Sequence, residues 1–254
     1  MENKNIIYLV KLLIKQTNNF KKVDDIKRDI INLYEDDFRK IDSTGRLALL
    51  FEAIPSQLNK NTKGFQTKKI LNSYKTEDTT ILSLISKLKD SKTISVAYHA
   101  NNPGVGMSLT KDSGRYKLFL SDVGLFVTLA FKDKNYTDNV IYNKLLSDKL
   151  DANLGYIYEN VVAQMLTAKG NNLFYYTMDS DTSNHLYEID FLISVRDKIC
   201  PIEVKSGNYR SHKSLDVFCD KFSNRISDKY VVHTKDYKWE NAINYIPVYM
   251  VPFL

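Results

Sequence analysis

Residues 186–207 read LYEIDFLISVRDKICPIEVKSG, two apolar runs joined by the short polar turn Arg196–Lys198. So short a join connects antiparallel neighbours, so strands over 185–195 and 199–205 are predicted to lie in one sheet. Each run carries an acid among apolar residues: Asp190 between Ile189 and Phe191, and Glu203 between Ile202 and Val204. Residues i and i+2 of a strand share a face, so Glu203 and Lys205 point one way and Val204 the other. If the strands pair, Asp190 lies beside Glu203. An acid buried in a strand needs a partner. Two close carboxylates repel unless a divalent cation lies between them or one is protonated. Oxygen ligands of this kind suit Mg2+ or Mn2+. Magnesium keeps several waters, and one of them is a candidate nucleophile for phosphodiester hydrolysis. Lys205 supplies positive charge where such a reaction develops negative charge. The plainer alternative is a surface ion pair between Glu203 and Lys205, which stabilises little.

The surrounding pattern extends the sheet. A helix is predicted over 155–168, with Ile157, Val161, Val162, Met165 and Leu166 on its apolar face and Glu159 within it. A strand over 173–178 and the polar turn 179–184 precede the two acidic strands. A helix over 212–222, a strand over 229–234 and a last strand-like run at 246–253 follow. The order is α-β-β-β-α-β with an extra strand, a mixed α/β class.

The N-terminal half is mainly helical. The apolar density of residues 4–15 suits a buried or partner-facing helix, and 23–38 are predicted to form an amphipathic one. Ser43 is the predicted N-cap of a helix through Ala53, ended by Pro55. A helix over 76–89 with Thr76 as its cap follows, bearing Ile81, Leu82, Leu84, Ile85 and Leu88. Strand-like runs at 93–99 and 116–120 are joined by the loop NNPGVG, and Asp122 can cap a helix carrying Leu125 and Leu129. Helices followed by two strands are the order of a winged helix. The predicted division is a helical segment at 1–42, a winged-helix-like domain at 43–131, a connection at 132–152, and an α/β domain at 153–254.

Charge separates the halves. Residues 1–110 hold 18 Lys and Arg against 12 acids, whereas 111–254 hold 18 against 18, and eight lysines fall within 60–92. This bias suits a polyanion such as DNA, or simply a solvated helical face. Only two cysteines occur, Cys200 and Cys219, neither in a C-x-x-C pair, so a reducing compartment and buried thiols are expected. No signal peptide and no apolar stretch of about 20 residues is present, so the reading is cytoplasmic without a membrane partner. Four scattered histidines do not suggest a ligand set, and Trp239 and the tyrosines read as filler.

The set Asp190, Glu203-Val204-Lys205 resembles the PD-(D/E)XK nuclease signature, with Glu159 matching the acidic residue often found on that fold's first helix. The stretches IPSQLNKNTKGFQ (54–66), YKLFLSDVGL (116–125), GYIYENVVAQML (155–166), EIDFLI (188–193) and PIEVKSG (201–207) are similar to the C-terminal region of prokaryotic AAA-type ATPases. That region carries a PD-(D/E)XK-like domain of unassigned function. YEDDF at 34–38 looks like the tail of the ATPase lid. The resemblance implies catalytic roles for Asp190, Glu203, Lys205 and Glu159, with Asp190 and Glu203 holding Mg2+ or Mn2+. It also implies DNA and an ATPase module as partners, with oligomeric state open. No G-x-x-x-x-G-K-[ST] loop occurs in this sequence, so no ATPase activity is expected of it alone. Two functions stay open: a metal-dependent nuclease-like domain, and a non-catalytic module that binds DNA or protein.

Overall fold

Apolar residues at three- and four-residue steps draw Phe20–Ile41 into one long helix, α1, which buries Ile31 and Phe38. The computed structural model describes residues 20–59, 64–71, 77–132, 155–180 and 183–254. The predicted helix at 4–15, the Thr76 cap and most of the 132–152 connection lie outside them. Gly45, not Ser43, is the N-cap of the next helix, α2 (Arg46–Glu52), and the turn before it is held by Asp42. Its carboxylate accepts the Arg46 N–H at 3.0 Å and pairs with the Arg46 guanidinium at 2.9 Å, while the chain turns through Gly45 at φ 77°. That guanidinium holds the Asp42 carboxyl down at about 2. Pro55 does not simply stop α2. It sits in the first turn of α3 (Ile54–Leu58), where a missing N–H costs nothing.

Short α4 (Thr67–Ile70) and α5 (Asp78–Asp90) complete the helical layer. Ile81, Leu84, Ile85 and Leu88 of α5 are buried as predicted, but Leu82 faces out. Next come β1 (Ile94–Ala100), the short helix α6 (Met107–Thr110) and β2 (Lys111–Leu120). Helix α7 (Val123–Ala130) follows, capped as expected by Asp122, which accepts the Leu125 N–H at 2.9 Å.

From 155 onward the predicted order holds: α8 (Gly155–Ala168), β3 (Leu173–Ser180), β4 (Ser183–Val195), β5 (Lys198–Val204), α9 (Lys213–Lys221) and β6 (Tyr230–His233). The final run differs. It divides into β8 (Ile243–Pro247) and a 3-10 helix (Val248–Phe253), with a short strand β7 (Lys238–Glu240) before it. Pro247 and Pro252 keep 246–253 from continuing as one ladder.

Among the described residues, eight strands form one mixed sheet in the order β2-β1-β3-β4-β5-β6-β8-β7. The two strands assigned by sequence to a winged-helix unit at 43–131 are therefore part of the sheet that continues through 153–254. β1 pairs with β2 on one side and lies parallel to β3 on the other. The reason is burial: almost every residue of β1 is buried, and a strand covered on both faces gains a second neighbour more readily than it remains in a lone hairpin. One apolar cluster lies under the N-terminal helices. Val162, Ala163 and Leu166 of α8 sit in a second, and Leu215, Phe218 and Cys219 of α9 in a third, so the two helices feed separate cores. Both cysteines are free and buried. No described helix is long and apolar enough to cross a membrane.

The β7–β8 turn carries Asn241 at φ 51° and Ala242 at φ 57°. Two successive left-handed residues match the twist of a two-residue hairpin, a geometry that favours glycine second. Ala242→Gly is expected to stabilise the protein by about 1 kcal/mol. Calorimetry would show a rise of roughly 2–4 °C in Tm, and an unchanged or lower Tm would contradict the strain argument.

Candidate functional site

Asp190 is aimed by an irregularity in β4. In the β3–β4 ladder Phe174 pairs with Leu192 and Tyr176 with Ile189, so two steps along β3 oppose three along β4. The extra residue is a β-bulge. It explains why Ile189 and Phe191, two positions apart, enter different cores. Regular pairing of β4 with β5 runs only to Phe191 opposite Ile202. Beyond it the Asp190 carboxylate accepts the Val204 N–H at 2.7 Å. Asp190 is thereby tied beside Glu203, as the paired-strand reading anticipates.

Glu203 is buried between Ile202 and Val204. Its Oε1 accepts from the Lys205 ammonium at 2.7 Å, so the two share a face. Its Oε2 is buried and has no hydrogen-bond partner. Lys205 follows β5 by one residue, its N–H donating to the Val232 carbonyl at 2.8 Å. Glu159 comes from α8, and its carboxylate lies 3.6 Å from the ammonium of Lys117 on β2. The same ammonium donates to Glu188, two residues before Asp190 on β4, and lies over the Tyr175 ring.

The structure thus brings all four sequence-derived residues into one neighbourhood and adds two more, Glu188 and Lys117. Glu188 was legible as the i−2 neighbour of Asp190 on a strand. Lys117 carried a subtler signal, since a lysine inside the apolar run YKLFL needs a buried anionic partner. With every group ionised, four carboxylates and two ammonium groups would leave a formal charge of −2. Burial, with added repulsion from Asp190, pushes the carboxyl of Glu203 up to about 8. Glu159 also rises to about 8 through burial, despite the opposing pull of Lys117. Asp190 is raised by burial too, with Lys117 pulling it back. Burial alone would lower Lys117, but Glu188, Glu159 and Asp190 override it and keep it charged.

Such a cluster can lower its energy by taking up protons or a cation. Among the described residues no three His, Cys, Asp or Glu side chains form a ligand group for a single ion. Asp190 and Glu203 are the two carboxylates that β4 and β5 set side by side. A pair suits Mg2+, which keeps several waters and commonly uses one or two carboxylates. The unpartnered Oε2 of Glu203 is the atom that most needs such a ligand.

Residues 154–251 match the family described as Domain of unknown function (DUF4143), a domain found in the C-terminal region of AAA-ATPase-like proteins. Residues 12–136 match the family described as Domain of unknown function (DUF8612). No curated protein and no solved structure matches the chain. Lys117 falls within the N-terminal match, and the carboxylates and Lys205 within the C-terminal one.

Proposed function

We propose that this ATPase-associated C-terminal domain is of PD-(D/E)XK type and hydrolyses phosphodiester bonds in DNA, with Mg2+ or Mn2+ held by Asp190 and Glu203. The observation that carries the reading is the buried, unpartnered Oε2 of Glu203 in a cluster of formal charge −2, a deficit that one divalent ion neutralises. When bound, the ion supplies a water of lowered pKa and charge neutralisation at the phosphate. The remaining work falls to the chain. The Val204 N–H fixes Asp190 through one oxygen, leaving the other for the ion. Lys205, the more exposed of the site's two lysines, is held at its stem by β5 and steadied by Glu203. Its ammonium is the group that meets an incoming phosphate oxygen and stabilises charge gathering there. Glu159 acts through Lys117 rather than as a direct ligand.

The test is cleavage of supercoiled plasmid and of single-stranded DNA in Mn2+ or Mg2+, comparing the wild-type protein with Asp190→Ala. Partners outside a ligand shell already matter 10–100-fold, so loss of a direct ligand is expected to reduce cutting by about a hundredfold or more. Metal-dependent cutting that persists in the variant would place the chemistry elsewhere.

A second reading, a non-catalytic module that binds DNA or protein, draws support from a groove of about 550 Å3 between α4, α5 and β2. Phe65, Leu82 and Tyr116 line it, with Lys68 and Lys69. DNA binding that falls steeply with salt, without cutting by either protein, would favour that reading.

A further inference from the structure

Lys117 stands out as the one member of the cluster that is not carried by residues 154–251. Its side chain is 9% exposed, and β2, its strand, is the edge of the sheet farthest from β7. The ammonium faces Glu159 of α8, Glu188 of β4 and the Tyr175 ring of β3, with Asp190 near enough to act on its charge. It thus neutralises one side of the acid cluster, while the other side, Asp190 and Glu203, keeps a buried carboxylate oxygen without a partner.

We infer that Lys117 is a tethered cation that competes with the divalent ion for the carboxylate cluster, so that the N-terminal region sets the metal affinity of the C-terminal one. The inference rests on the metal site proposed above. Its physical basis is repulsion: a fixed positive charge close enough to act on Asp190 opposes a second cation there, and burial leaves little solvent to screen it. The same ammonium occupies Glu159 and Glu188, which keeps both from serving as ligands. Removing the charge releases two carboxylates and makes the formal charge of the cluster more negative, from −2 to −3.

The experiment is Mn2+ binding to the full chain by calorimetry or by electron paramagnetic resonance of the free ion. It compares the wild type, Lys117→Gln, Lys117→Arg and Asp190→Asn. Lys117→Gln keeps hydrogen-bond donors for Glu159 and Glu188 but loses the charge, and is expected to bind Mn2+ at least tenfold more tightly. Lys117→Arg restores the charge and is expected to reverse most of that gain. If Lys117→Gln unfolds without metal, refolding driven by Mn2+ but not by NaCl of equal ionic strength reads the same competition. Binding by the wild type with no gain, or a loss, in Lys117→Gln would overturn the inference and leave the metal site standing. Absence of binding in both proteins would remove the metal site itself, and the inference with it.

Discussion

Replacing Asn160 with leucine is expected to destabilise the protein by about 3 kcal/mol, among the largest single effects available in this fold. β2 is an edge strand, and the ladder bond from the Ser121 N–H to the Thr93 carbonyl turns the Leu120 N–H and C=O away from β1. Asn160 of α8, fully buried, satisfies both: its Oδ1 accepts the Leu120 N–H at 2.8 Å, and its Nδ2 donates to the Leu120 carbonyl at 3.0 Å. Leucine has nearly the same size but no polar atom. It would strand two buried backbone groups, each costing about 1–3 kcal/mol, against a smaller hydrophobic gain. The same residue covers a strand edge that would otherwise be open to pairing. Urea titration would measure the loss, and a change below about 1 kcal/mol would show that water replaces the clamp. The variant is also expected to weaken the site, because Asn160 adjoins Glu159 and holds α8 against the strand that carries Lys117.

In EDTA, stability is expected to fall as pH rises from about 5 to about 8, and saturating Mn2+ is expected to remove most of that fall. Glu159 and Glu203 both titrate at about 8 in the folded protein, against an ordinary 4.5. Between those limits the folded state holds more protons than the unfolded state, so stability declines steadily with pH. The loss begins above the unfolded value and is complete once pH passes the folded one. Asp190, also raised, adds in the same direction. Lys117 and Lys205 are raised above 10.5 and stay charged throughout the window, contributing no slope. A proton held by the folded state alone is worth about 1.4 kcal/mol for every pH unit crossed, so the total is on the order of several kcal/mol. A divalent ion favours the ionised carboxylates and so replaces the protons that the cluster would otherwise keep. Thermal unfolding at half-unit pH steps, with EDTA and with Mn2+, would measure both curves. A flat or rising EDTA curve would contradict the buried-acid reading. An EDTA slope that Mn2+ leaves unchanged would mean protons, not a metal, satisfy the cluster.

Much of this arrangement is legible in the residues alone. The hairpin of β4 and β5 follows from a three-residue polar turn between apolar runs. The common face of Glu203 and Lys205 follows from the two-residue period of a strand, and their 2.7 Å contact agrees with it. Asp122 as a cap needed only its position before an apolar helix. The same local logic misjudged Ser43, because the helix starts two residues later, from Gly45 in a left-handed turn that Asp42 holds by accepting from both the Arg46 N–H and its guanidinium. It misjudged 246–253 because burial supports an apolar run in either conformation, and the two prolines decided against a continuous strand.

What the sequence determined by itself was local: which segments are helix or strand, which residues share a strand face, and that acids at 190 and 203 need partners. What only the tertiary structure decided was which distant segments meet. No local pattern reveals that β1 passes beyond its hairpin to pair with β3, since periodicity records burial and not the identity of the neighbour. Nor does one reveal the bulge that turns Asp190 toward Val204, because the extra residue is defined by the opposing strand. Lys117 and Glu188 are 71 residues apart and meet only because the sheet joins β2 to β4 through β1 and β3. A buried charge finds its partner through space, and it is the sheet order that brought this one to the acids.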